Sequence, residues 1–549
     1  MTRAPLQSRL RVAAVQFAVT EDAGDNLATC LRMVDEAADQ GAQVVVLPEF
    51  CNHVSWYDDR EHARRMAVTL EGPFVAALRE KAGERRLHLM ANCTLAREGG
   101  RVTGSNILIG PEGEVLAVSD KQVLMGSERD HLDPATERST VVETPFGTVG
   151  LYSCMDGVIN ETPRMLAVEG AQLLLNSLNS FALDEASLHI PVRAVENKVW
   201  VVAANKVGPL VPERSIAAVA ARVGVPADRL HGAGESQIVA PDGTIVAMGP
   251  RTGEAVVIAD IDVRAADDKT RPDGTDVIAS RRPELYAAIA APPVGRVAAV
   301  GSPEISAVVI CPVAATPQEL TAMVSDAAAA GAELVVLPEL AGVDVAQLQA
   351  SVAGTEAVVV SSLLQDGAHV GVAVSSGGVL LSQPQLHVSA RHGEAVTRLG
   401  QALEILALPW GRLAVVVGDD ALYPETFRLA ALQDADVVAV PFTTATRQDL
   451  DPLLLERAAE NRLNLAVASW RGEHGAGMVV PLSSDFTLWA PGRGPFTGVI
   501  SRPEPVIVED VVTTAVLRPE CAANRFVTKG TDLVDGRPWA LAAPLVASG

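Results

Sequence analysis

The chain has 549 residues, 48% of them hydrophobic, which is enough apolar material for two cores of ordinary domain size. A formal net charge of −23 argues against sequence-independent binding to nucleic acid or to an anionic membrane surface, since both need clustered Lys and Arg. Six cysteines without C-x-x-C spacing, and no charged-then-apolar leader before Leu10, point to a cytoplasmic protein with reduced thiols, and no apolar run approaches the roughly 20 residues of a membrane-spanning helix.

In chain order, LRVAAVQFAV from Leu10, NLATCLRMVDEAADQG from Asn26 and AQVVVLPEF ending at Phe50 read as strand, helix, strand. Gly41 stands just past the helix, where a left-handed cap is favoured, and the Val-rich run lacks the alternation of a half-exposed strand. Sheets covered by helices follow, so the fold class is α/β. Glu49 ends the second strand and should emerge at its edge, where a carboxylate can act as a general base or merely face solvent. The stretch from Cys51 to Tyr57 comes next, and Trp56 and Tyr57 suit either a pocket wall or a loop anchor. The strand-like EVLAVSD delivers Lys121 into a turn, where an ammonium can stabilise an oxyanion. Glu128 follows in LMGSERDHLDPA.

The run TVGLYSCMDG places Cys154 at the carboxyl end of a buried strand, directly before a helix expected from Glu161 to just before Gly170. Open α/β architectures put reactive groups there, although a free Cys is more often a small buried hydrophobe. Ten histidines without H-E-x-x-H spacing, no G-x-S-x-G and no P-loop leave little support for zinc, serine or nucleotide chemistry.

The second half repeats the first. Pro145 to Asn197 maps without a gap onto Pro409 to Asn461 at an offset of 264, and RAVEN at Arg193 returns as RAAEN at Arg457. GAQVVVLPEF recurs as GAELVVLPEL at an offset of 290, so the second copy is 26 residues shorter just after its glutamate, where a site-covering loop could sit. A period of about half the chain indicates tandem whole domains. We expect domains at 1–290 and 304–549, with 291–303 as a linker inside the Pro- and Gly-containing stretch from Ala287 to Glu304. The counterparts of Glu49, Lys121, Glu128 and Cys154 are Glu339, Gln385, His392 and Gly418. The second copy therefore reads as silent, with Asp419, Asp420 and His387 left for any other chemistry.

LPEF at 47–50, SDKQVL at 119–124, LYSCMDG at 151–157, ENKVWVVAANKVG at 196–208 and GESQIVAPDGTIVA at 234–247 together resemble the nitrilase superfamily of carbon-nitrogen hydrolases. The resemblance implies two tandem α-β-β-α sandwiches, the first catalytic and the second degenerate. It also implies that Glu49 takes the thiol proton, Cys154 attacks the C–N carbon, and Lys121 with the Met155 N–H stabilises the oxyanion. Glu128 would orient Lys121, and no metal or organic cofactor is required. Cys-x-Asp-Gly at 154–157 is similar to the amide-hydrolysing branches, which favours a small amide or N-carbamoyl substrate over a nitrile. Met155, Asp156, Trp56 and Tyr57 are the expected substrate contacts. Arg164 and Arg193 are candidates for a substrate carboxylate, but their recurrence as Arg428 and Arg457 points to structure. Family members commonly pair as dimers, so the two halves are expected to imitate a dimer within one chain, with further self-association open. A reading of another class makes the second half a small-molecule-binding regulatory module.

Overall fold

The computed structural model describes residues 9–490 and 498–547. In the first half the strands are β1 Arg9–Gln16, β2 Val44–Val46, β3 His88–Ala96, β4 Val102–Ile109, β5 Val115–Asp120, β6 Val142–Thr144, β7 Gly147–Ser153, β8 Leu173–Ser177, β9 Trp200–Ala204, β10 Val207–Pro209, β11 His231–Ala233, β12 Gln237–Val239, β13 Ile245–Met248 and β14 Ala255–Asp262. They build two six-stranded sheets, β14-β1-β2-β3-β4-β5 and β13-β12-β9-β8-β7-β6, with β10-β11 as a separate ribbon. β1 to β3 run parallel in one sheet and β7 to β9 in the other.

The pattern of β2 explains the layering. Val44 and Val46 face the other sheet, packing with Val12, Met90, Leu151 and Leu173, while Val45 faces outward onto helix residues Cys30, Val34 and Leu78. A strand buried on both faces cannot alternate in polarity, so its continuous Val run is what this position demands. Helices Ala23–Asp39 and Pro73–Arg85 cover the first sheet, and Glu161–Val168 and Ile190–Asn197 cover the second. Asp22 caps the first helix by accepting from the N–H groups of Gly24 and Asp25, and Gly41 follows it at φ 85°. Each fully buried Val or Leu of these layers contributes about 1.5–3 kcal/mol.

The second half has the same strand order. One sheet runs Gly378–Pro384, Ala368–Ser375, Val358–Gln365, Leu334–Val336, Ile305–Ile310, Val512–Leu517; the other runs Ile405–Leu408, Gly411–Val415, Val437–Phe442, Asn464–Gly472, Gly475–Val480, Val506–Ile507. Where the first half inserts Cys51 to Met66, with the helix Arg60–Met66, the second passes from Glu339 almost directly into the helix Val345–Ser351. The missing residues are therefore those that wall the first site. Among the described residues no helix is long and apolar enough to cross a membrane.

The halves meet through the helices Glu161–Val168 and Ile190–Asn197 on one side and Pro424–Leu432 and Leu455–Asn461 on the other, burying Met165, Leu188, Phe427 and Leu455 in one cluster. Charged pairs cross this contact reciprocally. Arg164 Nε lies 2.9 Å from Glu425, and Arg428 Nε lies 2.8 Å from Glu161. Arg193 pairs with Glu460 at 2.7 Å, and Arg457 pairs with Glu196. Residue i meets residue j and the copy of j meets the copy of i, the form of an isologous contact. Arg164 and Arg193 are thus spent on the interface and are fully buried there, so neither reaches a substrate. Each half also lends its C-terminal segment to the other. Tyr286 Oη lies 2.6 Å from His387 Nε2, and Thr531 Oγ1 donates to the Leu124 carbonyl at 3.0 Å. Between them, the expected linker holds to the second half, its Val297 and Ala298 N–H groups donating to Asp434.

Candidate active site

Glu49, Lys121 and Cys154 come from three strand ends at one edge of the paired sheets. Glu49 is fixed because its N–H donates to the Leu178 carbonyl of the opposite sheet at 3.1 Å, and the next residue, Phe50, turns at φ 51°. Asn92 accepts from the Phe50 N–H at 2.9 Å and donates to Asn106, locking that turn from beneath. Cys154 follows β7 at φ 48°, a conformation that costs a non-Gly residue about 1–3 kcal/mol, and stands at the head of the following turn. Its N–H is shared between the Ser177 carbonyl and Asn176 Oδ1.

Glu49 and Lys121 are wholly buried, and Cys154 is 5% exposed. Lys121 Nζ donates to both oxygens of Glu128 at 2.9 Å and lies 2.9 Å from Glu49 Oε1, off the hydrogen-bonding direction. Glu49 Oε1 is in ion-pair contact with Lys121, and Oε2 has no partner, which leaves Oε2 open to a proton. Burial, reinforced by Glu128 against the attraction of Lys121, pushes the Glu49 carboxyl up to about 7. Lys121 is desolvated, yet Glu128 and Glu49 hold its ammonium well above the usual lysine range. Burial and the nearby Glu49 keep the Cys154 thiol well above its ordinary value, so Cys154 rests as a thiol.

Tyr57 and Trp56 line a cavity with Ser55, Ser127, Glu128, His131 and Leu132. Tyr57 stacks on His53 and hydrogen-bonds Thr94, so it is both wall and anchor. Two expected substrate contacts are placed otherwise. The Met155 side chain is buried with Val123, Val158 and the second-half residues Leu488, Val527 and Leu533, in a core away from the cavity lined by Trp56 and Tyr57. Asp156 accepts from the N–H groups of Gln122 and Val123 at 3.1 and 2.8 Å, tying the Lys121 turn to the nucleophile turn. Asp420 does the same for Leu386 and His387 in the second half, where there is no nucleophile to serve. The role of Asp156 is therefore to hold backbone, and its oxygens are already used.

Several residues close to the site were not singled out from sequence. Lys206 is fully buried near Phe50; its signal was a lone charge inside VVAANKVG, directly after a buried strand. Thr531 reaches in from the far half, accepting from the Gly126 N–H at 3.0 Å, and spacing in the sequence carries no hint of it.

The corresponding place in the second half is closed by its own side chains. Gly418 keeps the left-handed φ of Cys154, at 52°, but a Cβ there would lie 2.6 Å from Glu339 Oε1. Arg391 bridges Glu339 at 3.0 Å and Asp419, and His392 Nε2 lies 2.9 Å from Glu339. Despite burial, His392 and Arg391 hold the Glu339 carboxyl down at about 2. Glu339, His369 and His392 offer ligand atoms within 4.8 Å of one another. Both nitrogens of His369 are committed to Gln385 and Ser362, however, and Glu339 to Arg391, so two of the three donors are already engaged.

Residues 11–269 match the carbon-nitrogen hydrolase family. The chain belongs, through this half, to the carbon-nitrogen hydrolases of the nitrilase superfamily. A nitrilase of Pyrococcus abyssi is 29% identical over 262 residues, covering 48% of this chain and 92% of that protein. An omega-amidase of Danio rerio is 29% identical over 295 residues, covering 51% of this chain and 97% of that protein. Among solved structures, an amidase from Nesterenkonia sp. aligns with 23% identity and a TM-score of 0.39, covering 49% of this chain and 96% of that one.

Proposed function

We propose that the first half hydrolyses a small amide or N-carbamoyl compound through a cysteine thioester, with Glu49, Lys121, Cys154 and Glu128 as its working residues. What carries this reading is the buried set in which Lys121 is anchored by Glu128 and touches Glu49 Oε1 while Glu49 Oε2 stays without a partner. Glu49 accepts the thiol proton as sulfur attacks the carbonyl carbon, and Lys121 with the Met155 N–H holds the resulting oxyanion. The proton returns to the departing nitrogen, ammonia or an amine leaves, and Glu49 then activates the water that cleaves the thioester. The relatives named nitrilase and omega-amidase leave nitrile hydrolysis as the second reading. Ammonia release from a panel of primary amides, N-carbamoyl amino acids and nitriles, beside Cys154→Ala and with intact mass to trap an adduct, decides between them. A panel on which Cys154→Ala retains turnover would overturn the cysteine mechanism.

We also propose that residues 304–549 are a silent copy, joined through 291–303 to a catalytic domain at 1–290, and that the copy serves as a built-in dimer partner. The reciprocal Arg–Glu pairs and the Thr531 contact favour this over a regulatory binding role, as does the bridging of Glu339 and Asp419 by Arg391 in the second site. The six free, buried thiols suit a reducing compartment.

A further inference from the structure

Arg462 is a buried cation to which the described residues bring no carboxylate. It ends the helix Leu455–Asn461 at φ 52°, as Lys198 ends Ile190–Asn197 at φ 51° in the first half. Lys198 is half-buried, whereas Arg462 is 2% exposed. Its Nε donates to the Asn524 carbonyl and its Nη2 to the carbonyls of Ser483 and Cys521, each at 2.9 Å, while Nη1 donates to no acceptor among the described residues. The guanidinium lies over the Phe486 ring, 3.8 Å from its centre. Burial pushes its pKa down to about 9, with only the Cys521 thiol acting against it, so the group is charged at neutral pH.

Arg462 lines a cavity of about 430 Å3, a size that suits a small organic ligand. Arg502 and Arg518 line it too, and the exposed Glu504 is the one acidic residue of its walls. Arg502 pairs with Asp451 at 2.8 Å and Arg518 with Glu304 at 3.5 Å, so each has an acid of its own and Arg462 has none. Three arginines around one hollow run against the net charge of −23 of the whole chain. Pro481 and Val499, both half-buried, add apolar wall. The frame is held from the first half, where Asp184 accepts from the N–H groups of Ile500 and Ser501 at 2.8 and 2.9 Å. A buried charge that meets only neutral dipoles is costly, and an oxyanion reaching Nη1 would relieve it. We propose that this cavity is a binding site for a small organic anion, its oxyanion head against Arg462 and Arg518 and its apolar body along Pro481 and Val499. The site is distinct from the counterpart of the first active site, which Arg391 closes at Glu339, and it stands apart from the reaction proposed for the first half.

The test titrates phenyl phosphate, phenylacetate and inorganic phosphate by calorimetry into wild type, Arg462→Met and Arg518→Ala. Wild type is expected to bind at least one of the two organic anions at one site per chain, more tightly than inorganic phosphate, and the pair tells a phosphate head from a carboxylate. Arg462→Met should weaken that binding by about 10- to 100-fold through loss of charge-assisted hydrogen bonds. The Arg518 side chain is 39% exposed, so Arg518→Ala spares the core and keeps the test decisive if Arg462→Met folds poorly; it should weaken binding about 3-fold or more. The bound anion should also raise the Tm of wild type and leave that of Arg462→Met unmoved. Two results would overturn the proposal. One is no heat from any of the three probes at millimolar concentration. The other is undiminished affinity in Arg518→Ala and, where it folds, in Arg462→Met, as an anion lodged in the first active site would give.

Discussion

At the scale of single residues, the site runs on carboxylates kept in different states by their surroundings. Glu128 has its oxygens occupied by Lys121 and by the Met125 N–H, whereas Glu49 is fully buried with only the Lys121 ammonium against Oε1, and its carboxyl is pushed up to about 7. A general base works only when deprotonated, so kcat/KM should climb about tenfold per pH unit below about 7 and level off above it. A pH profile of kcat/KM on any turned-over amide checks this, and a limb lying wholly below pH 5 would show that Glu49 is not the titrating base. Glu49→Gln should lose about 100- to 10,000-fold in kcat/KM with little change in substrate affinity, read by steady-state kinetics beside calorimetry.

At the scale of elements, the two turns that carry Lys121 and Cys154 are bound together by Asp156 and pinned from the other half by Thr531. Asp156→Ala strips the acceptor from two buried N–H groups, so a loss of about 2–4 kcal/mol is expected in denaturant unfolding, with activity falling as Lys121 shifts. Thr531→Val removes one hydrogen bond accepted from Gly126 and one donated to Leu124 while keeping the shape of the side chain. We expect it to cost about 1–2 kcal/mol and to lower kcat about tenfold. Unaltered kcat in that variant would mean that the second half does not position the loop. These elements were readable in advance because their determinants are local: the Val44–Val46 run, Gly41 after its helix, and Cys154 at a strand end each announce themselves within a few positions. What could not be read was which side chains meet across long separations. Met155 looked like a pocket residue from its neighbours in sequence, but it packs on Val527 and Leu533, whose proximity exists only once the halves are joined. Asp156 looked like a substrate contact for the same reason, and only the equivalent bonds made by Asp420 in the silent half expose it as a backbone tie.

At the scale of the whole molecule, the interface is an array of buried charges that stabilises only while it is complete. Glu425 accepts from Arg164 and Arg281 at 2.9 and 2.8 Å, and although burial opposes ionisation these two arginines hold its carboxyl far below the usual range. A carboxyl depressed in the folded state contributes stability that is complete above its unfolded value of about 4.5 and is lost progressively as pH falls from there toward its much lower folded value, so the contact keeps its charge in mild acid and fails only in strong acid. Glu425→Gln leaves both arginines buried without a counter-charge, a defect of about 3–5 kcal/mol. If the halves support each other as a dimer would, calorimetry should show one unfolding transition that Glu425→Gln shifts to lower temperature, with hydrolase activity lost at the same midpoint. Glu161→Gln, which orphans Arg428 on the pseudo-symmetric side, should shift that single transition in the same direction. Should two transitions appear instead, with activity surviving the first, the silent half would be a passenger. The retention of Arg428, Arg457, Glu425 and Glu460 in a copy that has Gly418 at the position of Cys154 argues for the opposite, because each of those residues pairs with the first half.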